Sequence, residues 1–170
     1  MLTLAQWFLF IMFVTGTVGY LRGWERSLIT GTIIVLVTWF LLLGGDVWLT
    51  QQLADWQVLR NMPGTQAIHA VAAPLYGAVS VLAYAAGSRW GRVPDPKKPV
   101  LHWAGIVPGA VTGAAFVAYL SHWAAPELFS KTFTTYFPLL FGIGVVINLV
   151  LLFIVSKSRP VAKKVPDTTS

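Results

Sequence analysis

The chain has no cysteine among its 170 residues. This excludes disulfides, thiolate metal centres and a cysteine nucleophile, and leaves the redox compartment undetermined. Charge is also scarce: 12 Lys and Arg with 6 Asp and Glu make up 11% of the chain, against a hydrophobic share of 56%. A water-soluble domain of that composition would expose broad apolar patches. Almost all of the charges lie outside the longest apolar runs, so those runs carry few of the acids and bases that line a proton or ion pathway. Catalytic pairs are missing too. Asp46 and Asp55 stand nine residues apart with no partnered base, and no stretch resembles an enzyme active site. The net charge of +6 comes from residues that flank apolar runs and form no basic stripe interleaved with aromatics, which argues against nucleic acid as a partner.

What the sequence does have is apolar length. Five runs, at about 2–21, 27–48, 66–87, 100–123 and 132–155, approach the ~20 residues that cross a ~30 Å hydrocarbon layer. The expected fold is an all-α bundle of about five transmembrane helices forming one domain over 1–157, with the lipid bilayer as its solvent. The first run lacks a basic leader and its charged cluster follows it, so it reads as a retained helix and not as a signal peptide. Gly44-Gly45-Asp46 is expected to end the second run. Leu49, Leu53, Trp56 and Leu59 then recur at helical steps opposite Gln51, Gln52, Asp55 and Arg60, which predicts a short amphipathic helix lying in the membrane interface. The stretch 88–99 combines Arg89, Arg92, Lys97 and Lys98 with three prolines and reads as a polar loop. Residues 158–170 read as a disordered basic cytoplasmic tail.

Basic residues near helix ends are retained on the cytoplasmic side. With the turn after the first run inside, Arg22, Arg26, Arg89, Arg92, Lys97, Lys98, Lys157, Arg159, Lys163 and Lys164 are all inside, and only Arg60 and Lys131 are outside. Trp24, Trp90 and Trp103 then fall near the inner surface, with Trp48, Trp56 and Trp123 near the outer one. The expected orientation has the N-terminus outside and the C-terminus cytoplasmic.

Two segments carry a family likeness. Gly19-Tyr20-Leu21-Arg22-Gly23-Trp24-Glu25-Arg26-Ser27-Leu28 resembles the arginine-glycine turn between the first two spans of the colicin V production protein family. Gly105-Ile106-Val107-Pro108-Gly109-Ala110-Val111-Thr112-Gly113 is similar to that family's glycine-spaced span. The resemblance implies a bacterial inner-membrane protein with a role in toxin production or export, or in envelope maintenance. Two other readings are a small structural or accessory subunit of a larger membrane complex and, disfavoured by spans that hold almost no charge, a channel or transporter.

Gly105, Gly109 and Gly113 lie on one helix face and let another backbone approach closely, either within the molecule or across a homo-oligomer or partner seam. Arg22, Glu25 and Arg26, with Gly23 between them, have the spacing to pair on one face of a turn. They read as a topology anchor, or as a docking point for a cytoplasmic partner or anionic head groups. Asn148 is the one polar amide near the middle of a run, and is expected to hydrogen-bond a neighbouring helix. His102 and His122 are about 30 Å apart along one helix, and only His69 and His122 can meet. With no third ligand evident, no metal, haem or other cofactor is expected.

Overall fold

The computed structural model describes residues 4–93 and 99–124, with positions 143, 146, 149–151 and 153 beyond them. The described elements are all helical: α1 (Leu4–Arg22), α2 (Trp24–Phe40), α3 (Asp46–Gln52), α4 (Gln57–Arg60), α5 (Gly64–Trp90), α6 (Pro99–Ala104) and α7 (Ile106–Ala124). Three helical stretches are long and apolar enough to cross a membrane: Trp24–Gln52 taken across its kink, Gly64–Trp90, and Pro99–His122. The apolar stretch of α1, Phe8–Arg22, is shorter. Most of the run expected at 132–155, Asn148 within it, and the tail 158–170 lie outside the described residues.

Three of the breaks between helices fall at glycine or proline for identifiable reasons. α1 and α2 are joined through Gly23 alone, at φ 79° and ψ 171°, a backbone region open essentially only to a residue without a Cβ. Hydrogen bonding continues on both sides of this joint, with the Gly23 N–H donating to the Gly19 carbonyl (2.9 Å) and the Ser27 N–H to the Gly23 carbonyl (3.1 Å). α2 ends in a wide turn, Leu41–Gly45, where Gly44 adopts φ 92° and ψ 15°. Between α6 and α7, Pro108 has no N–H to give the carbonyl four residues back, and its ring crowds that carbonyl. The interruption sits there, at Ala104 and Gly105, where the Gly105 N–H turns to the His102 carbonyl at 3.0 Å.

Gly44-Gly45 therefore breaks the helix as expected, but the chain does not leave the bundle. It resumes as α3, which packs against α5. The interfacial helix expected over 49–62 is not formed. Leu49 to Gln52 complete α3, residues 53–55 form a turn, and only Gln57–Arg60 is helical. Leu49 packs on the core and Leu59 is 8% exposed, while Trp56 between them is 63% exposed, so the apolar period in this stretch is divided between packing within the protein and the outside.

α2 is central, flanked by α5 and α7, and α1 packs along α7. The core lies where these meet, around Ile34, Val35, Leu41, Ala72, Tyr76, Ala83, Ala115, Ala118 and Tyr119. Alanines let the helices come close, and Tyr76 fills the space that remains, stacking on Tyr119 (centroids 4.1 Å apart) and meeting Phe116 edge-on (5.5 Å).

Candidate functional site

The glycines at 105, 109 and 113 face α1. A Cβ added to Gly109 would lie 2.5 Å from the Thr15 carbonyl oxygen and 2.9 Å from the Gly19 Cα. One on Gly19 would lie 2.9 Å from the Gly109 Cα, and one on Gly113 would lie 3.1 Å from the Met12 Cα. At Gly19 and Gly109 the obstructing atoms are backbone and cannot rotate aside, while at Gly113 the Thr15 hydroxyl stands nearest. The ladder thus has an opposing face on the same chain, Gly16, Gly19 and Gly23, at steps of three and four residues. That spacing was visible in the sequence and is the signal that reading the turn as a charged cluster passed over.

Arg22 sits where this seam meets α2 and α5. One terminal guanidinium nitrogen donates to the Tyr84 carbonyl at 3.0 Å, and to the hydroxyls of Thr30 and Ser88 at 3.2 Å each. The guanidinium carbon lies 4.5 Å from the Tyr84 ring centroid, a cation–π contact. Arg26 Nε donates to the Gly91 carbonyl at 3.2 Å, and Glu25 Oε2 accepts from the Arg92 N–H at 3.2 Å. The cluster therefore reaches beyond its own turn, and all three side chains fasten the start of α2 to the end of α5. Gly87 on α5 and Gly91 just after its end make this approach possible. A Cβ at Gly87 would lie 2.6 Å from the Arg26 carbonyl oxygen, and one at Gly91 would lie 2.8 Å from the Arg26 Cα. Neither glycine stood out in the sequence, because they fall in a stretch already read as the end of a run and a loop.

Beneath Arg22 is a cavity of about 10 Å³, lined by Thr15, Gly19, Ser27, Thr30, Tyr84 and Thr112 among others, roughly the room one water needs. Its hydroxyls give their hydrogens to backbone carbonyls: Thr15 to Ile11 (2.8 Å), Ser27 to Gly19 (3.1 Å), Thr30 to Arg26 (2.9 Å) and Thr112 to Pro108 (2.7 Å). Their oxygens keep lone pairs, and Arg22 Nε is a buried donor without a partner among the described residues. The lining is therefore rich in acceptors and offers one cationic donor, a set suited to water. Arg22 is the one charged side chain in this lining.

The histidines separate as their spacing required. His102 belongs to the Arg22 end, with Nδ1 3.1 Å from the Tyr20 carbonyl oxygen, while Tyr20 also meets Trp103 edge-on at 5.3 Å. His69 and His122 line one cavity at the opposite end, together with Asp46. Among the described residues no group of three His, Cys, Asp or Glu side chains is close enough to hold a metal ion. Asp46 was missed in the sequence because Gly44-Gly45 reads as a helix end facing water, and no local pattern announces that the helix resumes inward.

No protein-family model, curated protein or solved structure matches the chain.

Proposed function

We propose that this chain is a multi-pass protein of a bacterial inner membrane, of the colicin V production type, acting in toxin export or envelope maintenance. The observation that carries the reading is spatial. The two segments with the family likeness, 19–28 and 105–113, are far apart in sequence and pack backbone to backbone through Gly19, Gly105 and Gly109. Unrelated local resemblances have no reason to meet at one joint, and here the joint also holds Arg22.

The membrane setting is supported by the three long apolar helices and by large apolar side chains left on the outside, such as Phe13 at 75% exposed and Val81 at 70%. In water such surfaces would drive aggregation. Exposed tryptophans gather at both ends, Trp90 and Trp103 at the Arg22 end and Trp48 and Trp56 at the other, as expected for two interfacial belts. The same ends carry the basic asymmetry, which supports a cytoplasmic Arg22 end. In this reading α1, α2–α3, α5 and α6–α7 are four of the five spans, and the run at 132–155 is the fifth.

The test is genetic. A strain lacking the gene is expected to show reduced toxin export or a leaky envelope, restored by the wild-type chain but not by Gly23→Ala or Gly109→Leu at equal membrane levels. Normal export and an intact envelope in the null strain would remove the reading. Copurification with larger partners at a fixed ratio would replace it with the accessory-subunit reading.

A further inference from the structure

The end of the bundle opposite Arg22 holds a cavity of about 320 Å³ where the start of α3, the start of α5 and the end of α7 converge. Its walls are of two kinds. Leu42, Val47 and Ile68 supply apolar surface, while Asp46, His69 and His122 supply polar groups. A largely apolar cavity with a few convergent polar groups is the usual form of a small-molecule site.

Asp46 decides the charge of the occupant. It is only 9% exposed, and among the described residues its carboxylate meets no Lys or Arg. Its hydrogen bond is local: Oδ1 accepts from the Val47 N–H at 2.8 Å, at the first turn of α3. A buried carboxyl with one neutral donor among the described residues retains acceptor capacity that a cationic donor would fill. Nearby, the Tyr119 hydroxyl is buried without a hydrogen-bond partner among the described residues and within electrostatic reach of the same carboxylate. The kink at Gly44 creates this arrangement, because it turns α3 inward and brings its first residue into the bundle.

Three classes of occupant fit poorly. An anion would face the carboxylate. A bare transition metal or calcium ion needs several ligands converging within roughly 2.0–2.6 Å, and the three side chains are not grouped closely enough for that. A purely apolar molecule would bury Asp46 further without pairing it. An ammonium on a short alkyl stem satisfies both walls, with its N–H groups on Asp46 and its carbons against Leu42, Val47 and Ile68. We propose that this cavity is a binding site for a small primary alkylammonium ion, anchored by Asp46.

The inference does not depend on the envelope role, and its test uses the full chain in lipid nanodiscs. n-Butylammonium is titrated and followed by saturation-transfer NMR, with n-butanol and butyrate as neutral and anionic controls of similar size. Saturable binding of the ammonium alone is expected, weakened about tenfold or more by Asp46→Asn, as the loss of a charge-assisted bond implies. Asn keeps an oxygen to accept from the Val47 N–H, so the start of α3 is preserved. Val47→Phe, at a position 42% exposed, fills the cavity with the carboxylate intact and is expected to weaken binding similarly. It keeps the question open to test if Asp46→Asn does not fold. Equal binding of n-butanol, or wild-type affinity in Asp46→Asn, would overturn the proposal. So would wild-type affinity in Val47→Phe, since the site would then lie elsewhere.

Discussion

Thr38 has one hydroxyl hydrogen and two oxygens within reach. It lies 2.8 Å from the Ile34 carbonyl and 2.9 Å from the Tyr76 hydroxyl, in a position with 0% exposure. Because the carbonyl can only accept, the Thr38 hydrogen goes to Ile34, and the Tyr76 hydroxyl donates to Thr38. The pair is therefore asymmetric. Thr38→Val strands the Tyr76 donor in the core, costing about 1–3 kcal/mol, whereas Tyr76→Phe loses one net hydrogen bond of about 0.5–1.5 kcal/mol and leaves Thr38 satisfied. The double variant is expected to match Tyr76→Phe more closely than the sum of the two single changes. Unfolding by SDS titration in mild detergent measures all three, and a Tyr76→Phe costlier than Thr38→Val would show that the donor has been assigned the wrong way round. Arg22 follows the same logic at higher stakes, since its terminal nitrogen serves three acceptors on two helices, a task the point charge of lysine performs poorly.

At the scale of elements, the bundle is organised by where glycines let backbones touch. The α1–α7 seam and the α2–α5 junction both depend on this, yet the chain's glycines are not equivalent. A Cβ at Gly109 would meet backbone at 2.5 and 2.9 Å, whereas one at Gly16 would first meet the Ile106 side chain at 3.4 Å, an ordinary contact. Gly77 faces open space. Gly109→Ala is therefore expected to force α1 and α7 apart, costing about 1–3 kcal/mol as overpacking does. Gly16→Ala should be close to neutral, and Gly77→Ala neutral or stabilising by up to about 1 kcal/mol. The same SDS titration ranks them, and a Gly109→Ala no weaker than Gly77→Ala would mean that the seam is looser than its geometry. The ladder was legible in the sequence because four-residue spacing is a property of one helix. Its partner face depends on which helix lies opposite, and periodicity carries no information about that. The stretch 49–62 misled for a related reason: three- and four-residue apolar steps suit a helix lying on a membrane and equally a broken chain that tucks Leu49 and Leu59 against its own core. Asp46 was illegible because a glycine pair states that a helix breaks and leaves open the direction in which the chain continues.

For the whole molecule, the remaining question is which end faces the cytoplasm, and the scarcity of cysteine makes it directly measurable. A single introduced cysteine is the only thiol in the chain, so each labelling result has one source. Asp55 and Arg92 mark opposite ends: Asp55 has a side chain 99% exposed in the turn after α3, and Arg92 follows α5 beside Glu25. From the basic residues of the Arg22 end, the positive-inside tendency predicts an inside location for Arg92. In intact cells, Asp55→Cys is therefore expected to react with a membrane-impermeant maleimide, and Arg92→Cys to react only after the membrane is opened. The reverse pattern would invert the protein, turning the Asp46 cavity toward the cytoplasm and the Arg22 junction outward. Labelling of both from outside would mean that the two ends are not separated by a bilayer, which the composition makes hard to reconcile with a folded, soluble chain. The expected result would open the Asp46 cavity to the extracytoplasmic side, fixing the side from which a small cation would enter.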